Sequence, residues 1–241
     1  MRRVREIVLE HHEREVLEVT PVDAHILMMY SRIRSLLEGS CVLLREGLPQ
    51  EAMFLGRAMF TDSLQLMEIV SGEANRAALV LELVSKTLTE WEDLERQAVN
   101  LGESDEPDLR VLDYVAQRRK QIAGYQRRHG IGPFKKLDDE KQLARKHGRL
   151  SEYIDFAFSH RMVHRADMAQ SGRIIEMDNE VLGMHLRNPD DNFLAGVFGF
   201  VMTSALHAHK AVAQIFAWTE TEPQEIDRML ADIRHPLSDS Q

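Results

Sequence analysis

From residue 20 onward, apolar and small positions recur every three or four residues and draw a series of helices. "TPVD" at 20–23 is a start signal, with Thr20 as N-cap, Pro21 in the first turn and Asp23 where the helix dipole favours an acid. Ile26, Met29, Ile33, Leu36, Leu37, Ser40, Cys41 and Leu44 then trace one broad face. "EGLPQEA" closes this helix and opens another over about 49–70, so short a link that the pair forms an antiparallel hairpin over 21–70. Further helices are expected over 73–101, 107–129 and 137–147, and one capped by Ser151 that carries "YIDFAFSHRMVHRAD". "GRIIEM", near 172–177, reads as a short strand or a loop, "NPDDN" starts an apolar helix running to Trp218, and a short helix with a tail fills 220–241. With a charged, peripheral first helix within 1–19, the reading is a single all-α domain over 1–241, a bundle of about seven to nine helices.

Composition agrees with that pattern. Glycine (13) and proline (7) are scarce, and 44% hydrophobic with 29% charged residues suits a chain that buries a core. One cysteine, Cys41, builds no disulfide, which points to a reducing cytoplasm and to a small buried hydrophobe. The N-terminal stretch has no apolar core of a secretory signal. Residues 192–209 carry no Lys, Arg, Asp or Glu, but only eleven of them are apolar where a membrane span needs roughly 20. A central buried helix is expected there, and no membrane partner.

Charge adds an asymmetry. The net charge of −9 opposes general affinity for nucleic acid. Residues 118–149 nevertheless hold eleven Lys or Arg against three Asp or Glu, a local balance of +8, which leaves −17 for the rest. Arg118, Arg119, Arg127, Arg128, Lys135 and Lys136 flank Tyr125 and Phe134, and cations interleaved with aromatics can follow a phosphate backbone and stack on bases. RNA or another phosphate-bearing ligand is the partner this segment suits. The competing reading is a solvated face that pairs with the acidic remainder.

His160 and His164 stand one helical turn apart, the spacing by which one helix face ligates a metal. "HRMVH" lacks the glutamate that helical metalloproteases place after the first histidine, and third ligands exist only at long range, at Asp62, Glu68 or His207, or at Asp167. No cofactor is implied beyond a divalent metal at this pair. Two histidines hydrogen-bonded between helices is the structural alternative. Tyr153, Phe156 and Ala157 share their side of the helix. Arg57, with Met53, Phe54, Phe60 and Leu64 around it, needs a carboxylate such as Glu38 or Asp155, or serves as an anion-binding group. His207 and His209 lie about 200° apart on their helix, so one faces the core and one faces water.

Two of these stretches carry a resemblance. "REGLPQEAMFLGRAMFTDSLQLMEIV", followed about 90 residues on by "YIDFAFSHRMVH", resembles a bacterial helical family, domain-of-unknown-function family 5677. Gly47, Leu48, Pro49, Ala52, Leu55 and Arg57 fall on its first pattern, and Tyr153, Val163 and His164 on its second. Thr61 stands where the family has Glu, with Asp62 beside it, and His160 takes the family's hydroxyl position, with Ser159 one residue off. The resemblance extends loosely over about 50–220 and implies an all-helical fold without an established activity. The function expected is a binding or interaction protein, in which these helices can also self-associate. The alternatives are a metal-assisted hydrolase or RNase using His160, His164, Tyr153 and Arg57, and a nucleic-acid-binding module led by 118–149.

Overall fold

The computed structural model describes residues 8, 20–72, 75–102, 106–132, 137–165, 174–177, 180–184, 191–218 and 223–234, with side chains left aside at 158–165, 174–192, 223 and 234. The helix expected within 1–19 therefore lies outside the described residues apart from Val8, which is helical. The fold is all-α. Among the described residues there are eight helices: α1 (Pro21–Arg45), α2 (Pro49–Ser71), α3 (Arg76–Asn100), α4 (Leu109–His129), α5 (Glu140–Lys146), α6 (Leu150–Arg165), α7 (Asp191–Ile215) and α8 (Pro223–Arg234). The "GRIIEM" stretch supplies β1 (Ile174–Met177), which pairs antiparallel with β2 (Glu180–Met184) across one register shift.

The chain falls into two compact units. One contains residues 1–19, 23–71 and 139–241, the other residues 20–22 and 72–138. No shift in composition marks either boundary. The basic run of 118–149 is cut by the second one, so its two halves belong to different units.

In the larger unit the main packing is α2 on α7. Met59, Phe60, Leu64 and Leu66 of α2 and Val201, Met202, Ala205 and Leu206 of α7 are buried. Gly56 lets the two helices approach closely: a Cβ there would stand 3.0 Å from Val201 Cγ2 and 3.1 Å from Phe200 Cδ1. α7 is buried along most of its length, and no helix among the described residues is long and apolar enough to cross a membrane. α5, α6 and α8 pack around this pair. In the smaller unit α3 and α4 form a hairpin. Asp108 caps α4 by accepting from the Arg110 amide, and Glu95 of α3 accepts from the Asp108 amide at 2.9 Å.

Candidate functional site

A short turn controls the polar centre of the larger unit. α5 is capped at its start by Asp139 and runs out at His147. Gly148 adopts φ 67, a conformation that glycine takes without a steric penalty, and turns the chain so that Arg149 points into the core. The Arg149 amide donates to the Ala144 carbonyl (2.7 Å), and its carbonyl accepts from Tyr153 (3.1 Å) in the first turn of α6. Helix α6 thus begins at Leu150, and Ser151, expected as its cap, lies inside the first turn with its hydroxyl on Glu152 (2.9 Å).

Arg149 is wholly buried. Its Nη1 donates to Ser63 Oγ of α2 at 2.6 Å and its Nη2 to Ser204 Oγ of α7 at 3.3 Å. Each hydroxyl spends its proton on its own helix, Ser63 on the Phe60 carbonyl and Ser204 on the Phe200 carbonyl, both at 2.8 Å. Their lone pairs are thereby turned toward the guanidinium. Its Cζ stands 4.7 Å from the centre of the Phe60 ring, and Glu152 Oε1 lies 3.6 Å from its Nε. A buried cation is tolerable only with such compensation. Three elements that are distant in sequence are fastened through one side chain.

Arg57 and Tyr153 meet at the next aromatic ring. The Arg57 Cζ lies 4.9 Å over Phe156, Tyr153 stacks on Phe156 at 5.8 Å, and Phe156 reaches Phe60 at 5.4 Å. The result is a ladder Arg57–Phe156–Phe60–Arg149, with a cation at each end of an aromatic pair. Burial holds the Arg57 guanidinium below its ordinary value. Asp155, on the same α6 turn, has its carboxyl pushed up by desolvation and then by the charge of Glu152. α6 continues through residues 160 and 164, but the side chains of His160 and His164 lie outside the described residues. Of the four residues singled out for catalysis, the structure brings Arg57 and Tyr153 to one ring.

The long-range metal candidates separate. Asp62 is buried, with Arg32 Nη1 3.5 Å from its Oδ1; burial pushes its carboxyl up to about 6 against the pull of Arg32. Glu68 is buried at the other end of α2 and takes both hydrogen bonds of a bidentate contact from Lys146 Nζ (2.6 Å each), with His147 Nε2 at 3.1 Å. Burial alone would raise the Glu68 carboxyl, but the bonds from Lys146 and His147 outweigh it and leave it below its ordinary value. Burial lowers the His147 ring against the attraction of Glu68. His209 is buried and shares a 2.6 Å hydrogen bond through Nδ1 with Tyr30, while His207 is only half-buried. Asp167 lies outside the described residues. Among the described residues no three of His, Cys, Asp or Glu gather as a metal would require. Cys41 is buried.

Within the smaller unit, α4 exposes Arg118, Arg119, Lys120, Arg127 and Arg128 to solvent. Arg119 is tied to α3 through Glu92 (2.8 Å) and Thr89 (3.3 Å). Arg118 donates to Gln121 and Arg128 to the Gly124 carbonyl. Among the described residues, no carboxylate forms an ion pair with Arg118, Lys120, Arg127 or Arg128. Tyr125 packs on His129 at 4.3 Å. Where α4 ends, an open cavity of about 550 Å³ is lined by Ala123, Gln126, Arg127, Gly130, Ile131 and Gly132. Lys135 and Lys136 lie outside the described residues.

Arg149 and Lys146 belong to the basic run, yet the structure places both in the larger unit with partners on α2. Charge spacing could not separate them from the α4 cations. The available signal was the reverse one: Ser63 and Ser204 fall on the buried faces of two helices, and a buried hydroxyl needs a partner. No protein-family model matches the chain, and no curated protein and no solved structure matches it either.

Proposed function

We propose that the protein is a binding protein that holds a single-stranded nucleic acid, RNA foremost, along α4. The supporting observation is that Arg118, Lys120, Arg127 and Arg128 stand exposed on one helix without a carboxylate partner among the described residues. They span eleven residues, about 15 Å of helix. Most surface cations in an acidic protein find neutralising neighbours. Four that do not concentrate positive charge on α4, Lys120, Arg127 and Arg128 on one side of the helix and Arg118 on the other, and polyphosphate neutralises such charge by releasing its own counterions. The strongly acidic remainder confines the contact to α4. An open depression lies beside Arg127, with Gln126 as its other long polar side chain. None of these contacts reads base edges, so binding is largely indifferent to sequence. A cytoplasmic location is supported by the single, buried thiol of Cys41.

The test is anisotropy of a labelled single-stranded RNA between about 50 and 200 mM salt. With roughly four phosphates neutralised, log affinity falls against log salt with a slope of about −3. Joint reversal of Arg118, Lys120, Arg127 and Arg128 to Glu abolishes binding. Retention unchanged by that reversal, or no retention at the lowest salt, refutes the reading.

A second reading, a hydrolase or RNase acting at α6, draws on the meeting of Arg57 and Tyr153 at Phe156. There Arg57 would stabilise a phosphoryl anion and His160 and His164 would hold a metal or move protons. Near-stoichiometric zinc or manganese in untagged protein, lost in a His160→Ala/His164→Ala variant, supports it; no metal in either disposes of the metal site.

A further inference from the structure

The α3–α4 hairpin has a second surface of opposite character. Trp91 is 44% exposed, Leu94 61% and Leu101 75%, with Tyr114 of α4 43% exposed beside them. Trp91, Leu94, Ala98 and Leu101 follow the 3-4-3 spacing that aligns side chains on one stripe of a helix. The Trp91 and Tyr114 rings lie 5.7 Å apart, so the stripe continues onto α4. Grouped apolar exposure with a polar rim marks an interaction surface. The spacing suits another helix, packed knobs into holes.

The rim identifies the occupant. Between 90 and 100, α3 carries Glu90, Glu92, Asp93 and Glu95 against one cation, Arg96. Arg96 bridges Glu92 and Asp93, and Arg119 takes the other oxygen of Glu92. Glu90 and Glu95 occupy the two positions flanking the stripe from which charges select a partner in paired helices. Glu90 is exposed and, among the described residues, makes no ion pair. A second copy of this chain laid on the stripe, α3 against α3, would bring acid against acid, since the cation of this surface, Arg118, lies on the Tyr114 side. A helix with lysine or arginine on its flanks would meet complementary charge. We propose that Trp91, Leu94, Leu101 and Tyr114 form a docking strip for a helix of a partner protein that presents apolar residues at heptad spacing between basic flanks.

The experiment uses the full chain with Trp218→Phe, which leaves Trp91 as the single tryptophan and keeps an aromatic ring against Tyr30. The probes are two synthetic heptad peptides of about 21 residues, both with leucine on the apolar stripe, one with lysine and one with glutamate on its flanks. Saturable binding of the lysine peptide with a blue shift of Trp91 emission is expected, and none of the glutamate peptide. Leu94→Asp, at an exposed position, weakens the lysine peptide at least about tenfold although it adds a favourable charge. Glu90→Lys, which leaves the Glu95 bond to the Asp108 amide in place, weakens the lysine peptide and strengthens the glutamate peptide. Equal binding to the Leu94→Asp variant would reduce the effect to bulk charge attraction and overturn the proposal. So would absence of any Trp91 shift, or self-association that buries Trp91 without peptide.

Discussion

Replacing Arg149 by methionine tests whether the larger unit depends on one buried charge. The guanidinium is wholly buried and carries two hydrogen bonds to serine hydroxyls, a ring contact at 4.7 Å and a carboxylate at 3.6 Å. Hydrogen bonds to a charged group contribute about 1.5–3 kcal/mol each, and a desolvated cation on an aromatic face about 2. Against these stands the desolvation of the guanidinium itself, several kcal/mol that methionine recovers. The two sides nearly cancel for the arginine alone. What remains is Glu152, itself buried, which loses the cation beside it, and removing one partner of such a pair costs about 3–5 kcal/mol. Arg149→Met is therefore expected to lose about 3 kcal/mol, and Arg149→Met/Glu152→Gln to recover most of it. Lysine keeps the charge but cannot reach Ser63 and Ser204 together, so Arg149→Lys behaves like the methionine variant. Guanidinium unfolding followed by Trp218 emission, in a Trp91→Phe background, reports on the larger unit. A loss under about 1 kcal/mol for Arg149→Met, or no recovery with Glu152→Gln, would refute the idea that the pair is the costly element.

The other expectations concern glycine and pH. Gly56→Ala lowers stability by about 1–2 kcal/mol because Val201 and Phe200 must give way, whereas Gly124→Ala, with nothing within 4 Å of its Cβ, stabilises the hairpin by about 0.5–1 kcal/mol; thermal denaturation of both variants checks the opposite signs. Asp62, raised in the fold to about 6 from 3.8, contributes fully below its ordinary value and loses that contribution as pH rises through about 6. Asp62→Asn is thus neutral near pH 4 and stabilising by up to about 3 kcal/mol near pH 8, as unfolding across that range will show. Glu68 has the opposite sign: its contribution is present above 4.5 and disappears as pH falls through its lowered value, so Glu68→Gln costs about 2 kcal/mol at neutral pH and little in strong acid.

Local signals carried the helices. "TPVD" starts α1 at Pro21, "EGLPQEA" ends it at Arg45 and opens α2 at Pro49, and Asp108 and Gly130 bracket α4. In each case a capping residue and an apolar period agree, and both act within one turn. The α6 start shows the limit. Ser151 has the chemistry of a cap, but the turn at Gly148 and the seating of Arg149 start the helix two residues earlier than such a cap would. Arg57 was readable as a cation in an apolar setting, while its contact with Phe156 arises from packing between α2 and α6.

The basic run shows why the site was harder to read than the fold. Along the chain, Arg127 and Arg149 are equivalent members of one positive segment. In space Arg127 faces solvent, and Arg149 is enclosed by α2, α6 and α7. A helix period records only which face a residue occupies. It does not record whether another helix covers that face. The covering helices leave their own marks, the buried hydroxyls of Ser63 and Ser204, some 86 and 55 residues from the arginine they serve. Each mark alone is ambiguous, since a serine in a helix can satisfy itself on the preceding turn, as both do here. Only their shared approach to one guanidinium distinguishes a structural cation from a recognition cation. By that criterion Arg118, Arg127 and Arg128 of α4, which no carboxylate of the described residues answers as Glu92 answers Arg119, are set apart from Arg149, and the proposed reading assigns them to recognition.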